Sequence, residues 1–107
     1  MVEKVQRIGQ EIKRAATQMY GRRFYELILF GSYARGDFHE ESDVDIALVL
    51  NDMTISPATE ILKFNVYSTE ISLRNDTVIS ILPVTRERLK NSQLPVYQSI
   101  RNEGIVL

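Results

Sequence analysis

The 107-residue chain contains no cysteine and a single histidine, His39. The first absence excludes a disulfide framework and a thiolate zinc site; the second excludes a histidine-rich metal centre. An excess of charge of one sign is also missing, because 13 basic side chains stand against 14 acidic ones for a formal charge of -1. No bulk field therefore draws the protein to nucleic acid or to an anionic lipid surface, and neither is expected as a partner. No run approaches the roughly 18 apolar residues that a membrane span needs. The opening Met1-Val2-Glu3-Lys4-Val5 mixes charges without the apolar stretch of a signal peptide, so the expected compartment is the cytoplasm. What is present, 44% hydrophobic and 25% charged residues, fits one soluble globular domain over 1–107.

Val5, Ile8, Ile12, Ala15, Ala16 and Met19 recur at three- and four-residue spacing. This predicts an amphipathic helix over the first twenty residues, closed by Gly21-Arg22-Arg23. The two arginines suit the negative end of that helix, or reach toward a phosphate. Tyr25 to Phe30 and Val44 to Leu50 have the length and composition of strands. On the second, Val44, Ile46, Leu48 and Leu50 share one face, and Asp43, Asp45, Ala47 and Val49 the other. From Ile46 onward both faces are apolar, as in an interior strand covered by helices.

Ser56-Pro57 supplies an N-cap and a first-turn proline for a helix to about Arg74, with Ile61, Leu62, Phe64, Val66, Ile71 and Leu73 available to pack. Thr77 to Leu82 reads as a third strand, stopped by Pro83. Thr85 caps a short helix around Arg86 to Lys90. Gln93 to Glu103 makes a last one, with Pro95 near its start and Gly104 after its end. Tyr20, Tyr25, Tyr67 and Tyr97 fall mostly at core spacing. The order helix, strand, strand, helix, strand, helix, helix predicts an α/β domain, a small mixed β-sheet flanked by helices.

Two residues sit badly in that scheme. Asp is depleted in strands and costly to bury unpaired, yet Asp43 and Asp45 project side by side, their Cα atoms about 6.5 Å apart. A divalent cation between them removes the repulsion. Upstream, Gly31 lets the chain turn sharply at the end of the first strand, and Ser32 places a hydroxyl near the start of the short segment Tyr33 to Arg35. Ser32 reads either as a helix N-cap or as a phosphate donor. Arg35 either contacts a phosphate or pairs with Glu40 or Glu41. His39 reads as a solvated side chain, and Tyr33 as a neighbour of a nucleotide or as a structural residue. A phosphate cradle facing a carboxylate pair is the equipment for phosphoryl or nucleotidyl transfer.

Gly31-Ser32, ten residues, then Asp43-Val44-Asp45 resembles the signature of the DNA polymerase β-like nucleotidyltransferase superfamily; Tyr33-Ala34-Arg35-Gly36 and Ser42 look like its minimal, antitoxin-type branch. The resemblance implies the polymerase β-like fold, with Ser32 and the Gly31 backbone on the phosphates of a nucleoside triphosphate such as ATP and Asp43 and Asp45 as catalytic ligands of two Mg²⁺ ions; Arg35 is the further candidate for a phosphate contact. It implies transfer of a nucleoside monophosphate, foremost AMP, to a hydroxyl such as a tyrosine of a HEPN-type partner toxin. The family usually carries a third carboxylate on the neighbouring strand. Ser80 takes that place here, and Asp76 lies just before the strand. That departure keeps a second reading open: a non-catalytic nucleotide-binding antitoxin subunit that masks its partner by contact.

Overall fold

The computed structural model describes residues 2–107. Helix α1 (Glu3–Tyr20) buries Val5, Ile8, Ile12, Ala15 and Ala16, the expected stripe. It closes on Gly21, whose N–H donates to the Thr17 carbonyl, and a single 3₁₀ turn over Gly21–Arg23 leads into β1 (Phe24–Phe30). A four-residue helix, α2 (Ser32–Arg35), follows at once. Then come β2 (Val44–Leu50), α3 (Pro57–Arg74), β3 (Ile79–Thr85), α4 (Arg86–Asn91), α5 (Pro95–Glu103) and β4 (Ile105–Val106). The α3 and α4 starts are capped as expected: Ser56 Oγ accepts from the Thr59 N–H and Thr85 Oγ1 from the Arg88 N–H.

The sheet is mixed, with strand order β3-β2-β1-β4. β1 runs antiparallel to β2 and to β4, and β2 runs parallel to β3. Val44, Ile46, Leu48 and Leu50 pack under α1 and α3 with Ile8, Ile12, Leu27, Phe64 and Ile71. Ala47 and Val49 pack on the other face with Ile28, Val84, Tyr97 and Ile100. β2 is thus the interior strand its apolar faces predict, and Asp45 belongs to the α4–α5 face. Across the first face, Tyr20 donates a 3.0 Å hydrogen bond to the buried carboxylate of Glu60. Burial first, and that bond second, hold the Tyr20 hydroxyl well above its ordinary pKa, so it stays protonated.

The structure departs from the sequence expectation at four points. Pro83 does not stop β3 but lies inside it, opposite Leu48. β3 is an edge strand, where a residue lacking an N–H costs no ladder bond on the open side. Of the α3 residues expected to pack, Phe64 and Ile71 are buried, whereas Ile61, Leu62, Val66 and Leu73 are exposed. The helix carries two apolar stripes and the core takes the one shared with Glu60 and Ser68. Tyr25 is exposed too, its ring lying 3.8 Å from the Arg86 guanidinium. β4 was not expected, being too short to show any alternation. Among the described residues no helix is long and apolar enough to cross a membrane.

Candidate active site at the β1–α2 turn

Gly31 is where the chain leaves the sheet. Its φ of 75° and ψ of -155° are open to glycine and strained for residues with a side chain. Phe30, the residue before it, pairs with Asp45 on β2, so the turn folds back over the start of that strand. A Cβ on Gly31 would overlap Asp45 Oδ2 and come within 3.2 Å of its Cγ. The Asp45 carboxylate therefore lies directly against the Gly31 backbone. Thirteen residues of sequence lie between Gly31 and Asp45; the antiparallel pairing of β1 and β2 removes the distance.

Asp43 precedes β2 and is exposed, whereas Asp45 is half-buried. Burial raises the Asp45 carboxyl above the usual carboxylate range, the charge of Asp43 raises it further, and Arg35 partly offsets both. The two aspartates thus interact unfavourably when both are ionised, as their spacing predicts. They form a pair and not a larger cluster: no group of three His, Cys, Asp or Glu suited to a metal occurs among the described residues. A pair of hard oxygen donors suits magnesium, which commonly takes one or two protein carboxylates and completes its shell with water and substrate phosphates.

Ser32 is the first residue of α2, not its cap: Gly31 holds the N-cap position and no side chain caps the helix. Ser32 is half-buried, and its hydroxyl is not spent on capping. The Ala34 and Arg35 N–H groups both donate to the Gly31 carbonyl, which leaves the Ser32 and Tyr33 amides outside the helical ladder. Arg35 is paired with neither Glu40 nor Glu41. It donates to Asp37 Oδ2 and to Glu103 Oε1, each at 3.1 Å. Tyr33 is buried and stacks on Phe38, with ring centroids 4.4 Å apart, which makes it structural. His39 is exposed, its Nδ1 accepting from the Glu41 N–H. Arg22 and Arg23 lie at the far end of the sheet, where Arg23 donates to Asp52 at 3.0 Å and the Arg23 carbonyl accepts from Asn51.

Ser80, the residue that the resemblance puts in place of the third carboxylate, stands beside Asp45 on the adjacent parallel strand. Asp76 lies in the turn after α3, with φ 48°, before β3 begins. Glu103 was missed altogether. From the end of α5 its carboxylate accepts from the Gly31 N–H at 3.2 Å as well as from Arg35. An acid thus occupies donors that an anionic ligand would use. No local spacing announces a contact across 72 residues; only the docking of α5 beside β1 creates it.

A family model described as the nucleotidyltransferase domain matches residues 10–107. Two proteins of Methanocaldococcus jannaschii, MJ0141 and MJ0604, each named as a candidate protein adenylyltransferase, are similar over nearly the whole chain. MJ0141 is 32% identical over 99 residues, covering 92% of this chain and 93% of the relative. MJ0604 is 34% identical over 100 residues, covering 92% of each. Among solved structures, a toxin–antitoxin protein crystallised with AMP-PNP superposes with a TM-score of 0.62 at 16% identity, covering 98% of this chain and 72% of that one. At that identity the likeness concerns the fold, a mixed sheet flanked by helices. With the family model spanning most of the residues and relatives above 30% identity, this chain belongs to the nucleotidyltransferase domain family.

Proposed function

We propose that this chain transfers a nucleoside monophosphate, most readily AMP, from a nucleoside triphosphate to a hydroxyl of a partner protein. The observation that carries the reading is the Asp45 carboxylate lying against Gly31, with Asp43 beside it and Ser32 and Arg35 on the same turn. Ser32 and Arg35 would bind the phosphate tail, and Asp43 and Asp45 would hold the metal as a two-ion site. Bound magnesium supplies charge neutralisation at the entering and leaving oxygens of an in-line displacement. The acceptor oxygen bonds to the α-phosphorus, the bond from that phosphorus to the bridging oxygen breaks, and pyrophosphate leaves. The hydroxyl proton has no carboxylate base on β3, so it passes to water or to the acceptor's own surroundings.

The M. jannaschii relatives named for adenylyl transfer support AMP as the group moved. The fold shared with a toxin–antitoxin protein is consistent with a toxin as the partner; within this reading the partner is a HEPN-type protein, the acceptor one of its tyrosines and the setting the cytoplasm. The test is incubation with α-labelled ATP, magnesium and the protein encoded next to it. Label on that partner supports the reading. Nucleotide binding without label supports the masking antitoxin, which Ser80 in place of an acid favours.

Two variants probe the details. Ser80→Asp adds a carboxylate in register with Asp45 and is expected to raise the single-turnover transfer rate by about tenfold or more, within the range of general-base effects. No change would mean that Ser80 does not face the reacting hydroxyl. Glu103→Gln keeps an acceptor for the Gly31 N–H but removes a charge that a phosphate must displace. It is expected to tighten AMP-PNP binding by about three- to tenfold, since charge-assisted bonds are the stronger ones. Weaker binding in titration calorimetry would assign Glu103 to holding Arg35 in place.

A further inference from the structure

The outer face of α3 carries an apolar stripe that the core does not use. Leu62, Val66 and Leu73 are 74%, 72% and 78% exposed, while Phe64, Ser68 and Ile71 on the opposite side are buried. With Thr69 they occupy positions 62, 66, 69 and 73. Steps of four, three and four residues are the seam spacing of a helix that packs on another helix.

We propose that this stripe pairs with the same stripe of a second copy of the chain, the two α3 helices running antiparallel about a two-fold axis between Val66 and Thr69. Packing about that centre sets Leu62 against the partner's Leu73 and Val66 against the partner's Thr69, and symmetry makes each contact twice. Charge selects the same arrangement. Lys63 and Glu70 flank the stripe on one side, a heptad apart, so antiparallel pairing places each Lys63 opposite the partner's Glu70. The other flank sets Asn65 against the partner's Ser72, with no charges to oppose. Parallel pairing along the same seam would face Glu70 with Asn65 and Lys63 with Ala58, and the complementarity would vanish.

Glu70 is free to take part. In the monomer it pairs with Arg74 one turn away at 2.6 Å, both side chains at least half exposed, and such pairs are worth little. α3 covers the sheet face opposite Asp45, so the dimer leaves the β1–α2 turn open. At about 1.5 Å per residue the helix is roughly 27 Å long, and one helix pair of that length lies at the low end of interface sizes. The dimer is therefore weak and concentration-dependent. The inference stands whether or not the chain transfers nucleotides.

Sedimentation equilibrium from about 5 to 500 μM spans the range suited to so small an interface. The expected result is a monomer at the low end and a dimer at the high end. Leu62→Glu changes an exposed position, so its circular dichroism and melting temperature should match the parent while it remains monomeric throughout. Lys63→Glu sets like charges opposite each other twice and should weaken the dimer at least about tenfold. Adding Glu70→Lys should restore it. A monomer at every concentration, a dimer indifferent to Leu62→Glu, or a Lys63→Glu defect that Glu70→Lys does not repair would each overturn the pairing. A monomer whose α3 face is covered only by an added protein of another kind counts among those contrary results.

Discussion

Gly31→Ala is expected to lower the melting temperature by about 10–20 °C. Two costs combine. A residue with a side chain is strained at φ 75° and ψ -155°, by about 1–3 kcal/mol. The new methyl group also overlaps Asp45 Oδ2, so the carboxylate or the turn must shift. A total of about 2–3 kcal/mol corresponds to that shift at roughly 4–8 °C per kcal/mol for a chain of this size. Gly36→Ala is the control, because its φ of 86° is also positive but nothing lies within 4 Å of the added Cβ. Combining Gly31→Ala with Asp45→Ala should recover part of the loss, as expected of two groups in contact. If the double variant is no more stable than Gly31→Ala, Asp45 does not lie against that glycine.

Asp45→Asn is expected to reduce transfer at least about 10³-fold without loss of stability. A metal acting as Lewis acid contributes several kcal/mol to a transition state, and about 4 kcal/mol is a thousandfold at 1.36 kcal/mol per factor of ten. Stability should move the other way. In the metal-free protein, burial and the neighbouring Asp43 raise the Asp45 pKa above its unfolded value. A carboxyl raised on folding gives stability that is present below its unfolded pKa and is lost as pH rises through its folded pKa. The metal-free parent should therefore lose stability on going from acid toward neutral pH through that window, and Asp45→Asn should lack that component. Thermal melts across pH with a chelator present check the sign. A variant markedly less stable than the parent at neutral pH would make Asp45 a structural residue.

Much of this architecture was legible in the chain. The α1 stripe, the two faces of β2, and the Ser56-Pro57 and Thr85 helix starts each rest on local rules, and local rules held there. Asp45 was legible because an acid inside an apolar strand breaks such a rule. The misses share a different origin. α3 carries apolar residues on two sides, Phe64 and Ile71 on one and Leu62, Val66 and Leu73 on the other, and the position of α1 and the sheet decides which is buried. Pro83 was misread because strand order, not strand sequence, makes β3 an edge. Glu103 and the true partners of Arg35 depend on where α5 ends in space, which no spacing in the chain encodes. Ser80 lies beside Asp45 because β2 and β3 pair residue for residue with no bulge, a register that local sequence rules leave open.

Manganese binding followed by electron paramagnetic resonance, with and without a non-hydrolysable ATP analogue, tests the account at its centre without any acceptor. Two carboxylates with no third acid should hold the ion weakly alone and at least about tenfold more tightly once triphosphate oxygens complete its shell. Asp43→Asn and Asp45→Asn should each remove that enhancement, and Asp76→Asn should leave it intact. Manganese affinity that is indifferent to the nucleotide, or enhancement that survives loss of both aspartates, would contradict the assignment of this turn and strand as the place where the triphosphate meets its metal.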